Sequence, residues 1–160
     1  MFIYRHAYAW MEHKHYPGMG QFFKAESESE KVHAHLIEEF LIKRGEVPLT
    51  SSIEVQAPSW SKPLEVFETA HALETSHLVR LEEFAKLAKE EGDVLSTHAF
   101  TKLLDLQLES MNEYDVLLNK ARAYGKFDGL YYHFDHELGK QAQKVEEANL
   151  LLSKANLGLW

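Results

Sequence analysis

The chain has 160 residues, no cysteine, ten histidines, 25 acidic against 17 basic side chains and a formal net charge of −8. That length predicts one domain with a real core, and the missing cysteines exclude a disulfide scaffold, a thiolate metal site and a cysteine nucleophile. The acidic balance argues against nucleic-acid binding, which needs clustered Lys and Arg to displace counterions.

Residues 1–15 read as a first helix, with Tyr4, Ala7, Tyr8 and Met11 on one side. Pro17-Gly18-Met19-Gly20 reads as a break. The second helix runs over 19–44, its stripe made of Phe23, Glu30, His33, Ile37 and Phe40/Leu41, and Gly45 ends it. Residues 46–62 mix Pro, Ser and Thr without a helical period and read as a long loop. Pro63 suits the first turn of a third helix over 63–91, with Leu64, Phe67, Glu74, Leu78, Leu81 and Ala85 on its face. After Gly92 comes a fourth helix over 93–124, carrying Phe100, Leu103/Leu104, Gln107, Met111, Tyr114 and Leu118. A short fifth helix begins near Gly129, followed by an extension to residue 160 in which Val145, Ala148/Asn149 and Leu151/Leu152 continue an amphipathic pattern.

Loop lengths predict the topology. A helix of about 25 residues spans about 38 Å, and a loop the length of 46–62 reaches roughly 55 Å. It can run the length of a bundle and leave the second and third helices parallel. The short breaks at 17–20 and 92–93 instead make antiparallel neighbours. The expected architecture is all-α: a four-helix bundle with one long crossover, a fifth helix and an extension, forming one domain over 1–160.

Chemistry enters where polar residues interrupt the apolar stripes, because a buried charge needs a partner or a metal. Tyr4, the Glu30/His33 pair, Glu74 and Gln107 are such interruptions. Glu30-Lys31-Val32-His33 is a Glu-x-x-His, whose i,i+3 spacing puts both side chains on one helical face. Glu-x-x-His also occurs at Glu12/His15, Glu68/His71 and Glu74/His77, so most matches are coincidence or solvated i,i+3 pairs, and a satisfied core Glu–His pair is the metal-free alternative. Glu30/His33 stands apart because its stripe is otherwise Phe23, Ile37 and Phe40. For Gln107 taken alone, a core glutamine bonded to backbone accounts for the position, and for Tyr4 and Tyr114 aromatic packing does. A carboxylate and imidazole faced by another carboxylate inside a bundle describe a di-iron carboxylate site.

At this point the chain resembles ferritin over residues 4–140. GQFFKAESESEKVHAHLIEEFLIKRG, APSWSKPLEVFETAHALE, the Gln107-x-Glu109 segment and GLYYHFDHELGKQ carry the resemblance, in order and with the long crossover between. It implies a ferroxidase centre with Glu30 bridging and His33 terminal, Glu74 from the third helix, Gln107 from the fourth and Tyr4 beside the pair. It further implies that Fe(II) is oxidised with O2 or peroxide and stored as ferric mineral in a homo-oligomeric shell of twenty-four subunits, alone or co-assembled with other ferritin chains. Glu109 matches one ligand of a third iron site, although Ser29 and Ser110 stand where further carboxylates belong.

The sequence also departs from the family pattern. The first-helix glutamate, seven residues before the tyrosine, falls ahead of Met1, so a weakened centre is expected. Thr97, His98 and Phe100 stand where acidic residues line a threefold channel in many animal ferritins, and Lys31 where haem-binding relatives place methionine. No haem is therefore expected. The extension at the end of the chain is expected to fill or cap the fourfold channel.

Three readings follow: a catalytic iron-storage subunit, a non-catalytic cage subunit that assembles and nucleates mineral, and a di-iron oxygenase or peroxidase. The last wants a second Glu-x-x-His on the fourth helix, and Gln107-Leu-Glu-Ser does not supply it. No apolar run approaches the ~20 residues of a membrane helix. His, Arg and Glu interrupt the first eighteen residues, so no secretory signal is read there. A cytoplasmic location is expected, in keeping with the absence of cysteine.

Overall fold

In the computed structural model the described residues are 1–49, 52–54, 56–127 and 129–155, with side chains described as far as Leu151. They form five helices, α1 (Phe2–His13), α2 (Pro17–Lys43), α3 (Pro63–Glu90), α4 (Val94–Tyr124) and α5 (Tyr131–Ala155), and among them is no strand. Trp160 and the rest of the extension beyond α5 lie outside the described residues, as do Thr50, Ser51 and Val55 of the crossover loop. The helices group into two compact units, Met1–Ser59 with Gly129–Trp160, and Trp60–Asp128.

In the first unit, α1 and α2 run antiparallel. Met1 accepts a hydrogen bond from Ser27 Oγ at its carbonyl (3.3 Å), while the Glu12 side chain lies against Gly20. The link between them is Lys14–Tyr16, with His15 in the left-handed region (φ 63°), and not the expected Pro-Gly break. Pro17 sits at the first position of α2, where its missing N–H costs no hydrogen bond. Gly18 and Gly20 are therefore helical residues, selected for what passes close to them and not for a turn. Tyr4, Ala7 and Met11 of α1 and Phe22, Phe23 and Met19 of α2 make the core of this unit, with Tyr4 stacked on Phe23 (centroids 6.0 Å, interplanar 26°). His6 Nε2–H donates to the Pro58 carbonyl (3.1 Å), which ties the end of the crossover loop to α1.

The expected fifth helix and its helical extension run on as a single element. It is one continuous helix of 25 residues that lies along α2 in the same direction. Asp135 Oδ1 accepts from the Met19 N–H (2.8 Å) near the start of both helices. Further along, Ser29 Oγ donates to Asn149 Oδ1 (2.8 Å) and Asn149 Nδ2 donates to the Ala25 carbonyl (3.3 Å). Phe134, Leu138 and Ala142 are buried in this contact face. The α2 cap residue, Tyr16, makes no side-chain cap bond, so Asp135 caps α2 from another helix and places a carboxylate at its positive end. Tyr16 packs against Tyr131 and Tyr132, and burial, then the proximity of Tyr132 and Asp135, push its phenol above the ordinary value.

In the second unit α3 and α4 run antiparallel, with Phe84 stacked on Phe100 at one end and His71 meeting Asp115 toward the other. Phe100, one of the residues in place of channel acids, is thus an aromatic packing partner. Ser61 donates through its N–H (2.7 Å) and Oγ (2.8 Å) to the Glu65 carboxylate in the first turn of α3. The Ser61 backbone bond first, and its hydroxyl second, hold Glu65 below the usual carboxylate range. A lowered carboxylate favours the fold above its unfolded pKa, and that contribution is lost as pH falls through the folded value.

Gly92 closes α3 at φ +69°, a conformation any side chain would strain. Asp93 then caps α4, accepting from the Ser96 N–H (3.1 Å) and Ser96 Oγ (2.8 Å). Asp93→Ala is expected to cost about 1 kcal/mol. Thermal unfolding should show this as a midpoint lower by roughly 2–4 °C; an unchanged midpoint would mean the cap contributes nothing.

Candidate metal centre

Each unit carries part of the expected site. In the first, the antiparallel pairing of α1 and α2 puts Tyr4 within the unit's core, 1% exposed. On α2 the i,i+3 geometry brings His33 Nδ1 to 3.6 Å from Glu30 Oε1, both side chains partly exposed. The Met1 nitrogen lies 3.9 Å from Glu30 Oε2.

In the second unit Glu74 is 3% exposed and Gln107 is also buried. Gln107 Nε2 donates to Glu74 Oε2 (2.6 Å) and to the Glu74 backbone carbonyl (3.1 Å), which fixes the carboxylate between α3 and α4. One turn on, His77 Nδ1 stands 3.9 Å from Glu74 Oε2. Two ligand atoms at about 2.1 Å from one ion are at most ~4.2 Å apart, so both Glu-x-x-His pairs are within the span of a single metal.

The four Glu-x-x-His matches separate clearly. Glu30/His33 and Glu74/His77 each bring carboxylate and imidazole within 4 Å. His71 turns to Asp115 of α4 instead, at 2.7 Å, and His15 lies beyond the end of α1 with a left-handed backbone. Helical spacing did not separate these cases: His71 is drawn off by the neighbouring helix, and His15 falls outside α1 altogether.

Glu109 sits on the exposed face of α4, two residues from buried Gln107 and turned away from it by the helical period. Ser29, one of the two serines standing where the resemblance implies further carboxylates, donates to Asn149 of α5. Glu12, set against Gly20, is remote from Tyr4 along α1. Two residues that the sequence did not single out stand out in the geometry: His77, beside Glu74, and Asp135, at the start of α2. The signal for His77 was present in its spacing from Glu74; the signal for Asp135 was the lack of a capping side chain ahead of Pro17.

The family model for the ferritin-like domain matches residues 1–123. The chain is 26% identical over 134 residues to the bacterial non-heme ferritin of Bacteroides fragilis, covering 82% of each protein. It is 29% identical over 145 residues to the chloroplastic Ferritin-3 of Arabidopsis thaliana, covering 86% of this chain and 56% of that protein. Among solved structures, an open pore ferritin from Archaeoglobus fulgidus superposes with TM-score 0.83 at 20% identity, covering 86% of this chain and 85% of that one. The Chlorobium tepidum ferritin gives TM-score 0.76 at 24% identity, covering 86% and 84%. These likenesses assign an all-α, ferritin-like fold.

Proposed function

Because the chain belongs to the ferritin family, we propose that it stores iron by oxidising Fe(II) at an intra-bundle di-iron centre and holding the ferric product in a cage. In this reading Glu30, His33, Glu74 and Gln107 bind the two ions and Tyr4 stands beside them. Two Fe(II) each give one electron, O2 takes both with two protons and leaves as hydrogen peroxide, and hard carboxylate oxygens favour the Fe(III) that results. Peroxide can serve as the oxidant in place of O2.

The observation that carries the reading is Glu74. It is a carboxylate 3% exposed, oriented by a buried glutamine and accompanied one turn away by an imidazole. A carboxylate held in this way between two helices, with an amide and an imidazole beside it, offers the hard oxygen and borderline nitrogen donors that iron takes. The cage is supported by apolar side chains that one chain leaves in water, among them Leu49 at 94%, Val94 at 77% and Leu95 at 65% exposed. A cytoplasmic location goes with this reading; no described helix is long and apolar enough to cross a membrane.

The test is an anaerobic Fe(II) titration of the purified protein followed by O2, with native mass measured alongside. We expect a shell of twenty-four chains, tight Fe(II) binding and oxidation faster than in buffer. A monomer or dimer would remove the cage from the proposal. Iron oxidised no faster than in buffer, by a shell that still mineralises, would replace the catalytic reading with the non-catalytic one.

A further inference from the structure

We infer that His77 is an iron ligand, so that α3 contributes a Glu-x-x-His and not a lone carboxylate; this rests on the di-iron reading above. The α3–α4 unit then holds three donors of its own: the Glu74 carboxylate, the Gln107 amide and the His77 imidazole. Glu74 and His77 share a helical face, with 3.9 Å between Oε2 and Nδ1. That separation is beyond a hydrogen bond and within the span of two ligands on one ion.

The two side chains also differ in a useful way. Glu74 is 4% exposed at its side chain and His77 35%, so the carboxylate is enclosed while the imidazole is open to solvent on one side. Gln107 holds Oε2 of the carboxylate by a short bond, which sets the direction in which Glu74 presents itself. Coordination through Nδ1 leaves the proton on Nε2, so the imidazole binds as a neutral ligand. The consequence is an iron pair with two nitrogen donors, one from His33 and one from His77. The first-unit pair has the same construction, with 3.6 Å between Glu30 Oε1 and His33 Nδ1.

The probe is Fe(II) alone, loaded under argon, with X-ray absorption used to read imidazole scattering and equilibrium dialysis to read affinity. His77→Ala is compared with wild type, with His77→Gln as a second variant that retains side-chain length, and with His71→Ala, whose histidine is committed to Asp115. Helical content by circular dichroism shows that each variant is folded. The imidazole signal per iron is expected to fall by about half in both His77 variants, one equivalent of Fe(II) to bind at least roughly tenfold more weakly, and His71→Ala to match wild type. Unchanged scattering and affinity in folded His77 variants would overturn the assignment while leaving the di-iron reading in place. A wild type that binds no tight Fe(II) would instead overturn the di-iron reading itself and the ligand with it.

Discussion

Changing Glu74 to glutamine is expected to leave the metal-free protein at least as stable as before and to abolish the stabilisation that Fe(II) confers. The glutamine has the same shape and can still accept the Gln107 Nε2–H bond through its amide oxygen. What disappears is a buried negative charge, whose desolvation opposes folding. A gain of about 1 kcal/mol, or roughly 2–4 °C in the thermal midpoint, is the expected size in the absence of metal. With Fe(II) at a hundredfold its dissociation constant, linkage stabilises the wild type by about 2.7 kcal/mol. That corresponds to roughly 5–10 °C. The variant should lose this shift, because a neutral amide oxygen replaces an anionic ligand, and Fe(II) oxidation should fall by roughly a hundredfold or more. Scanning calorimetry under argon, with and without Fe(II), separates the two effects. If Glu74→Gln keeps the full Fe(II) shift, the carboxylate is not a ligand. A large loss of metal-free stability would show that its charge is structural.

The helices were legible because four of them bury one broad face, and a single broad face leaves a clear 3.6-residue period. The break at 92–93 and the crossover loop followed from glycine, proline and a missing period, whereas the first break was read at 17–20 and lies at 14–16. The same logic singled out Tyr4, Glu30, Glu74 and Gln107 as candidates, since a polar residue on an apolar stripe is conspicuous. It failed at α2, which carries two faces. One is the stripe of Phe23, Glu30 and His33; the other is Gly18, Phe22, Ala25, Ser29 and Leu36. Small residues leave almost no hydrophobic signal, so the face that receives α5 was invisible, and the end of the chain read as a short fifth helix whose amphipathic extension filled or capped the fourfold channel. Gly18 and Gly20 were misread for a related reason. A glycine that makes room for a neighbour and a glycine that turns the chain are the same letter. Spacing alone did not set His77 apart from His71, because spacing is a property of one helix, whereas what each histidine meets is decided by the helix opposite. Here Gln107 orients Glu74, while Asp115 draws His71 away.

The docking of α5 on α2 gives the second large effect. A Cβ at Gly18 would run into the backbone carbonyl of Asp135, and Gly139 approaches the Gly18 Cα from the same side. Backbone cannot step aside as a side-chain end can, so Gly18→Val must push the two helices apart. The first casualty would be the bond from Met19 N–H to Asp135 Oδ1, a charge-assisted cap in a buried place. Overpacking and the lost bond together are expected to cost about 3 kcal/mol or more. The thermal midpoint should then drop by roughly 6–12 °C. Gly20→Ala is the control, two residues on in the same helix. Its Cβ would meet the Glu12 carboxylate at 2.9 Å, the far end of a flexible side chain that can swing away. Alanine is also the better helix former by roughly 1 kcal/mol, so Gly20→Ala should fall within about 1 kcal/mol of wild type. Thermal unfolding followed by circular dichroism reads both variants. Equal behaviour of the two would mean that α5 does not lie against Gly18 in solution, because only that contact sets the two glycines apart.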